Sequence, residues 1–189
     1  MTTLTLQEQG ETLIFFGEAD SSAPEVTFEV HMAPGASGPT PHSHPLQSER
    51  FSILSGSIVA TIDGEVRRIE AGGDVIVEAG QVHTFFNGSD EESLVLRCTA
   101  EPALNLQWFL TEMAQSAIRG GGRWDDASLF EVGYALHQIR GEYRLATVPA
   151  PIQTAMVGIL AAAAILLGKT RQINPRPVAA RTALLRPEM

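Results

Sequence analysis

Apolar and polar residues alternate along much of the N-terminal half of the chain. The run Val26–Met32 reads Val-Thr-Phe-Glu-Val-His-Met, apolar at every second position. That period turns one face of a strand toward a core and the other toward solvent. Further short runs rich in β-formers fall at Thr12–Phe16, Glu49–Leu54, Ser57–Ile62, Glu65–Glu70, Val75–Val77, Thr84–Asn87 and Ser93–Thr99, punctuated by Gly, Asp or Pro. Asp63-Gly64, between Ser57–Ile62 and Glu65–Glu70, predicts a tight two-residue hairpin turn. Closely spaced strands with such turns predict a mainly β sandwich or closed barrel over residues 1–102.

After Pro102 the period lengthens. Leu104, Leu106, Phe109, Leu110, Met113 and Ile118 recur at helical spacing, and Gly120-Gly121-Gly122 ends that run. Ser128 is placed to cap a second helix, Leu129–Ile139, and Pro151 sits in the first turn of a third, Pro151–Leu167. Ala155–Gly168 is wholly apolar, but its 14 residues fall short of the roughly 20 that cross a bilayer. A buried helix is expected in place of a membrane span, with Ile152, Met156, Ile159, Ala163 and Leu167 as its packing stripe. The predicted organisation is therefore a β-barrel domain (1–102), a helical extension of about three α-helices (103–168), and a Pro-containing tail (169–189).

Charge adds to this picture. The net charge of −9 over 189 residues argues against nucleic acid as a partner, because phosphate binding needs a basic face. The tail runs the other way: Lys169, Arg171, Arg176, Arg181 and Arg186 face only one acid, Glu188. Cys98 is the sole cysteine, so an internal disulfide is excluded, and its strand-like setting marks it as a small core residue. The N-terminal residues carry no basic and apolar leader pattern, which makes a cytoplasmic location the expectation.

The candidate chemistry lies in two clusters. His42 and His44 are two residues apart, so on extended backbone they point to the same side. Glu49 follows within five residues, and His83 closes a glycine-containing turn ahead of Asn87. Imidazoles and a carboxylate are the donors that a divalent transition metal takes. His31 and His137 belong to neither cluster and are expected to be structural or exposed.

These residues resemble the two motifs of the cupin superfamily, specifically its small single-domain members. His42, His44, Glu49 and Gly56 match the first motif, and Gly72, Gly80, His83 and Asn87 match the second. Two positions depart from the pattern: Ala36 stands where the first motif opens with glycine, and Glu78 where the second carries proline. The resemblance covers about residues 26–100. It implies a cupin-type jelly-roll barrel, the double-stranded β-helix, with one divalent transition metal (Fe, Mn, Ni, Co, Cu or Zn) held by His42, His44, Glu49 and His83.

Strand parity then places Phe51 and Ile53 on the Glu49 side and Phe85 and Asn87 on the His83 side. Gln47 can present an amide beside them, giving a largely apolar pocket for a small-molecule substrate. Cupins with this ligand set include dioxygenases, and the leading expectation is an oxygen-using metalloenzyme acting on a small organic metabolite, with Glu49 also able to move a proton. Two alternatives stay open: a non-redox metal-dependent isomerase, cyclase or lyase, and a non-catalytic binding module. A homodimer is implied by the same resemblance.

Overall fold

The computed structural model describes residues 1–177. Arg181, Arg186, Pro187 and Glu188, which complete the expected basic tail, lie outside the described residues. The described strands are β1 (Thr2–Leu6), β2 (Glu11–Phe15), β3 (Val26–Met32), β4 (His42–Ser43), β5 (Ser48–Ser55), β6 (Ser57–Ile62), β7 (Glu65–Glu70), β8 (Asp74–Val77), β9 (His83–Asn87), β10 (Leu94–Glu101) and β11 (Arg144–Leu145). The helices are α1 (Leu106–Gly120), α2 (Leu129–Gln138) and α3 (Ala150–Leu166).

Two antiparallel sheets make a jelly-roll barrel. One runs β1-β2-β3-β10-β5-β8 and the other β11-β4-β9-β6-β7. Alternation does what it predicts: in β3, Val26, Phe28, Val30 and Met32 are buried, while Thr27, Glu29 and His31 are only half-buried. Both sheets feed one core, in which Phe15, Phe28, Leu96 and Ile53 meet Ile58, Ala60 and Phe85. Asp63 and Gly64 both take positive φ, 49° and 86°, and Ile62 pairs with Glu65. This is the two-residue hairpin expected from the sequence. Asp63 does more than turn the chain. Its carboxylate accepts from the Val82 backbone N–H at 2.9 Å and the Gln81 amide at 2.9 Å, tying the hairpin tip to the segment that enters β9.

The helices pack back onto the barrel. Leu106, Ala114 and Ala117 of α1 join the barrel core, while Trp108 and Phe109 belong to a second cluster with Ala135, Leu136, Ile139 and Val157. Buried Glu112 is paired on this side: it accepts from the backbone and side chain of Asn174, whose carbonyl takes the Trp108 indole N–H. Ser128 occupies the N-cap position of α2, but its side chain makes no capping hydrogen bond.

The expected packing stripe of α3 is a correction. Gln153, Val157, Ala161 and Ala164 face inward, and Ile152, Met156, Ile159 and Leu167 are exposed. Close approach to α2 decides the facing. A Cβ built on Gly133 would lie 2.3 Å from the Leu160 Cβ, so the bare glycine is what lets α3 come this close to α2, and Val157 joins Ala135, Leu136 and Ile139 in one apolar cluster. Gln153 is turned in because its side-chain oxygen accepts from the Leu145 N–H, which anchors β11. Among the described residues no helix is long and apolar enough to cross a membrane.

Candidate metal centre

His42 lies on β4 directly opposite His83 on β9, and His44 follows one residue beyond β4. Glu49 comes from β5 in the other sheet, so the four side chains converge across the barrel. Their ligand atoms lie within 4.8 Å of one another, and all four residues are buried. Two of the rings are set by backbone carbonyls. His42 Nδ1–H donates to Thr40 O at 2.8 Å and His83 Nδ1–H to Gln81 O at 3.2 Å. A carbonyl can only accept, so Nδ1 carries a proton in both rings and Nε2 is left as the ligand atom, the arrangement that metal-binding imidazoles use.

The donor set fits a cation. Glu49 Oε2 lies 2.8 Å from His83 Nε2 and 3.7 Å from His44 Nε2, yet Glu49 Oε2 and His83 Nε2 have no hydrogen-bond partner among the described residues. Orphaned buried polar atoms cost stability unless something satisfies them. Burial holds the pKa of His42 down to about 3, reinforced by His83 and His44, and burial also lowers that of His44. Burial opposes ionisation of Glu49, but His44, His83 and His42 outweigh it and bring its pKa down to about 2. Near neutral pH the cluster thus offers neutral rings at His42 and His44 and a carboxylate at Glu49.

The two departures from the cupin pattern have local explanations. The positive φ falls at Gly35 (67°), immediately before Ala36, so the neighbouring glycine carries the turn. Glu78 donates its backbone N–H to the Gln81 side chain at 2.8 Å, a bond proline could not make.

A cavity of about 80 Å³ opens beside the cluster. Phe51 and Phe85 stand in its wall as expected, whereas Gln47, Ile53 and Asn87 do not. Gln47 donates its amide to the Pro102 and Ala103 carbonyls, and Ile53 fills the core. Asn87 donates to Ala33 O and Glu92 O and accepts from the Ser89 N–H, so it fastens loops.

Four wall residues with polar side-chain atoms were not foreseen. Cys98 is buried as expected, but it also reaches the cavity and its thiol donates to Glu49 Oε1 at 3.7 Å. Burial, and then the charge of Glu49, push its pKa well up. Tyr143 stacks on His42 with ring centroids 4.8 Å apart and planes at 15°. It is delivered by β11, which pairs with β4, so the helical extension completes the wall over the cluster. Burial raises its phenol pKa, with Glu49 adding to the shift. Glu11 and Trp124 line another part of the wall. Only Glu11 left a trace in the sequence, as an acid in step with the inward residues Leu13 and Phe15.

Comparison with known proteins agrees with this architecture. Residues 28–99 match the Cupin_2 family, described as a cupin domain. This segment is a cupin domain. Two solved structures are similar to the chain. KdgF from Halomonas sp. is 17% identical, with 57% of this chain and 91% of that chain covered and a TM-score of 0.48. The Cnp3 cupin domain of Schizosaccharomyces pombe is 20% identical, with 53% and 68% covered and a TM-score of 0.44. The cupin segment is also similar to the probable oxidoreductase patJ of Penicillium expansum, 39% identical over 70 residues, or 36% of this chain and 22% of that protein. The chain thus spans about a fifth of the length of the curated relatives it matches.

Proposed function

We propose that the chain is a metal-dependent cupin oxidoreductase that uses oxygen, dioxygenase-like, on a small organic metabolite. One observation carries the reading: His42, His44, Glu49 and His83 converge, buried and with orphaned donor atoms, beside a cavity whose remaining wall is mostly apolar. The oxidoreductase name of the partial relative supports it. A bound divalent ion would supply Lewis acidity and, if redox-active, a place for electron transfer between substrate and O₂.

The chain's own residues do the rest. Thr40 and Gln81 hold the rings of His42 and His83 in register. Tyr143 limits rotation of His42 and, with Phe51 and Phe85, keeps bulk water away from the donors. Glu49 divides its oxygens: Oε2 faces the imidazoles, while Oε1 beside the Cys98 thiol is the atom that would take a proton from substrate. The homodimer is proposed on the exposed apolar side of α3, and no nucleic acid is proposed as partner.

Metal analysis of untagged protein tests the reading first. Near-stoichiometric Fe, Mn, Ni, Co or Cu in the wild type, lost in His42→Ala and His83→Ala, is the expected result. Substrate-dependent O₂ uptake should vanish in the same variants. Equal turnover with and without O₂ would replace it by non-redox isomerase, cyclase or lyase chemistry. Ligand-induced stabilisation with no turnover would make the protein a binding module.

A further inference from the structure

Cys98 and Tyr143 bring their polar atoms to the cavity wall against the donor cluster. The cavity wall holds one more. Glu11 opens β2, a strand separated from Glu49's strand by β3 and β10. It is 4% exposed and shares the inward face of its strand with Leu13 and Phe15. An apolar residue would continue that face without cost. A carboxyl group there breaks the local pattern, and such breaks concentrate where function demands them.

The environment of Glu11 is specific. One oxygen, Oε2, accepts from the Trp124 indole N–H at 2.8 Å. Among the described residues its carboxyl forms no ion pair, and Oε1 takes no hydrogen bond. The same cavity is also lined by Leu13, Phe28, Val30, Leu106 and Leu110, all apolar. A purely structural role, pinning the Trp124 turn to the barrel, needs one acceptor, and a glutamine carbonyl would provide it. The second oxygen serves nothing within the protein.

We propose that Glu11 is a specificity residue of the substrate cavity. Its free oxygen takes a hydrogen bond from a hydroxyl or amino group on a small, otherwise apolar substrate whose oxygen-donor end sits at His42, His44, Glu49 and His83. This rests on the reading of that cluster as the metal-bearing end of the substrate site. The substrate class follows from the chemistry of the two ends. It has a chelating oxygen group, an apolar body, and a hydrogen-bond donor beyond it. A second carboxylate at that end would meet the Glu11 carboxyl in a place without a cation and is selected against.

Straight-chain hydroxamic acids make suitable probes, because one end chelates a metal and the other can be varied. Full-length protein loaded with Zn²⁺ would be titrated calorimetrically with a homologous series ending in methyl, hydroxyl, amine or carboxylate, with metal content measured in parallel. At the chain length that spans the cavity, the hydroxyl or amine end should bind about tenfold tighter than methyl, the scale of one hydrogen bond to a carboxyl group. The carboxylate end should bind weakest. The hydroxyl and amine members separate a neutral donor from a cation: only the amine should lose most of its preference in Glu11→Gln, while Glu11→Leu should abolish both. Glu11→Gln keeps the acceptor for Trp124, and the wild-type series stands even if the leucine variant does not fold. Equal affinity for all four ends at every length, with metal still bound and the chelating end engaged, would overturn the role of Glu11 and leave the metal centre intact. No metal and no binding of any member would overturn both.

Discussion

Above about pH 7 the folded chain must carry a bare charge on Glu11, whose pKa burial raises from 4.5 to about 7 against the opposing hydrogen bond from Trp124. Because the folded pKa exceeds the unfolded one, the native state holds the extra proton between those values. The stability linked to this group is therefore complete below the unfolded pKa and is lost as pH rises through about 7. A shift of this size corresponds to roughly 3 kcal/mol. Urea unfolding of the wild type and of Glu11→Gln should show a stability difference that moves against the wild type by up to that amount from about pH 5 to about pH 8. A difference that stays level across that range would mean that Glu11 is ionised throughout. At this scale the ligand candidates were readable because motif spacing and strand parity are local. Tyr143 was not, since it reaches His42 only through the pairing of two two-residue strands. Asn87 and Gln47 were misplaced for a related reason: their side chains satisfy distant backbone carbonyls, which no local pattern reports.

Helix packing offers a test one level up. Replacing Gly133 by alanine should favour α2 by about 1 kcal/mol through intrinsic propensity. Against that, the new methyl would have to share space with the Leu160 Cβ at 2.3 Å, which forces α3 to move. Overpacking of this kind costs about 1–3 kcal/mol, so net destabilisation is expected in chemical denaturation, with loss of order around β11 visible by hydrogen exchange. A stabilised variant would show that the two helices are free to separate. The bounds of several strands were legible residue by residue, as with Val26–Met32, Ser57–Ile62 and Glu65–Glu70. The strands β4 and β11 are too short to show any period. In α3 apolar residues surround the axis, so spacing could not say which side would be inward. Contacts from elsewhere in the chain made that choice: Val157 packs with Ala135 and Leu136 of α2, and Gln153 holds the Leu145 N–H.

Seen as a whole, the molecule leaves an apolar trough on α3, formed by Pro151, Ile152, Ala155, Met156, Ile159 and Leu160. Such a surface has no charge to repel a copy of itself, and a two-fold axis would bury it twice. Sedimentation velocity should show a dimer that Ile159→Lys dissociates without loss of metal; a wild type that stays monomeric at high concentration would end that proposal. The order of the chain has a consequence in time. The last of the four donors, His83, precedes Tyr143 by sixty residues, and the other three by more. At synthesis rates of about 5–20 residues per second, they have all left the ribosome roughly 3–12 s ahead of the ring that will stack on His42. For those seconds the donors exist without the wall that later covers them, so the cell's metal pool meets them from a side that the finished protein closes.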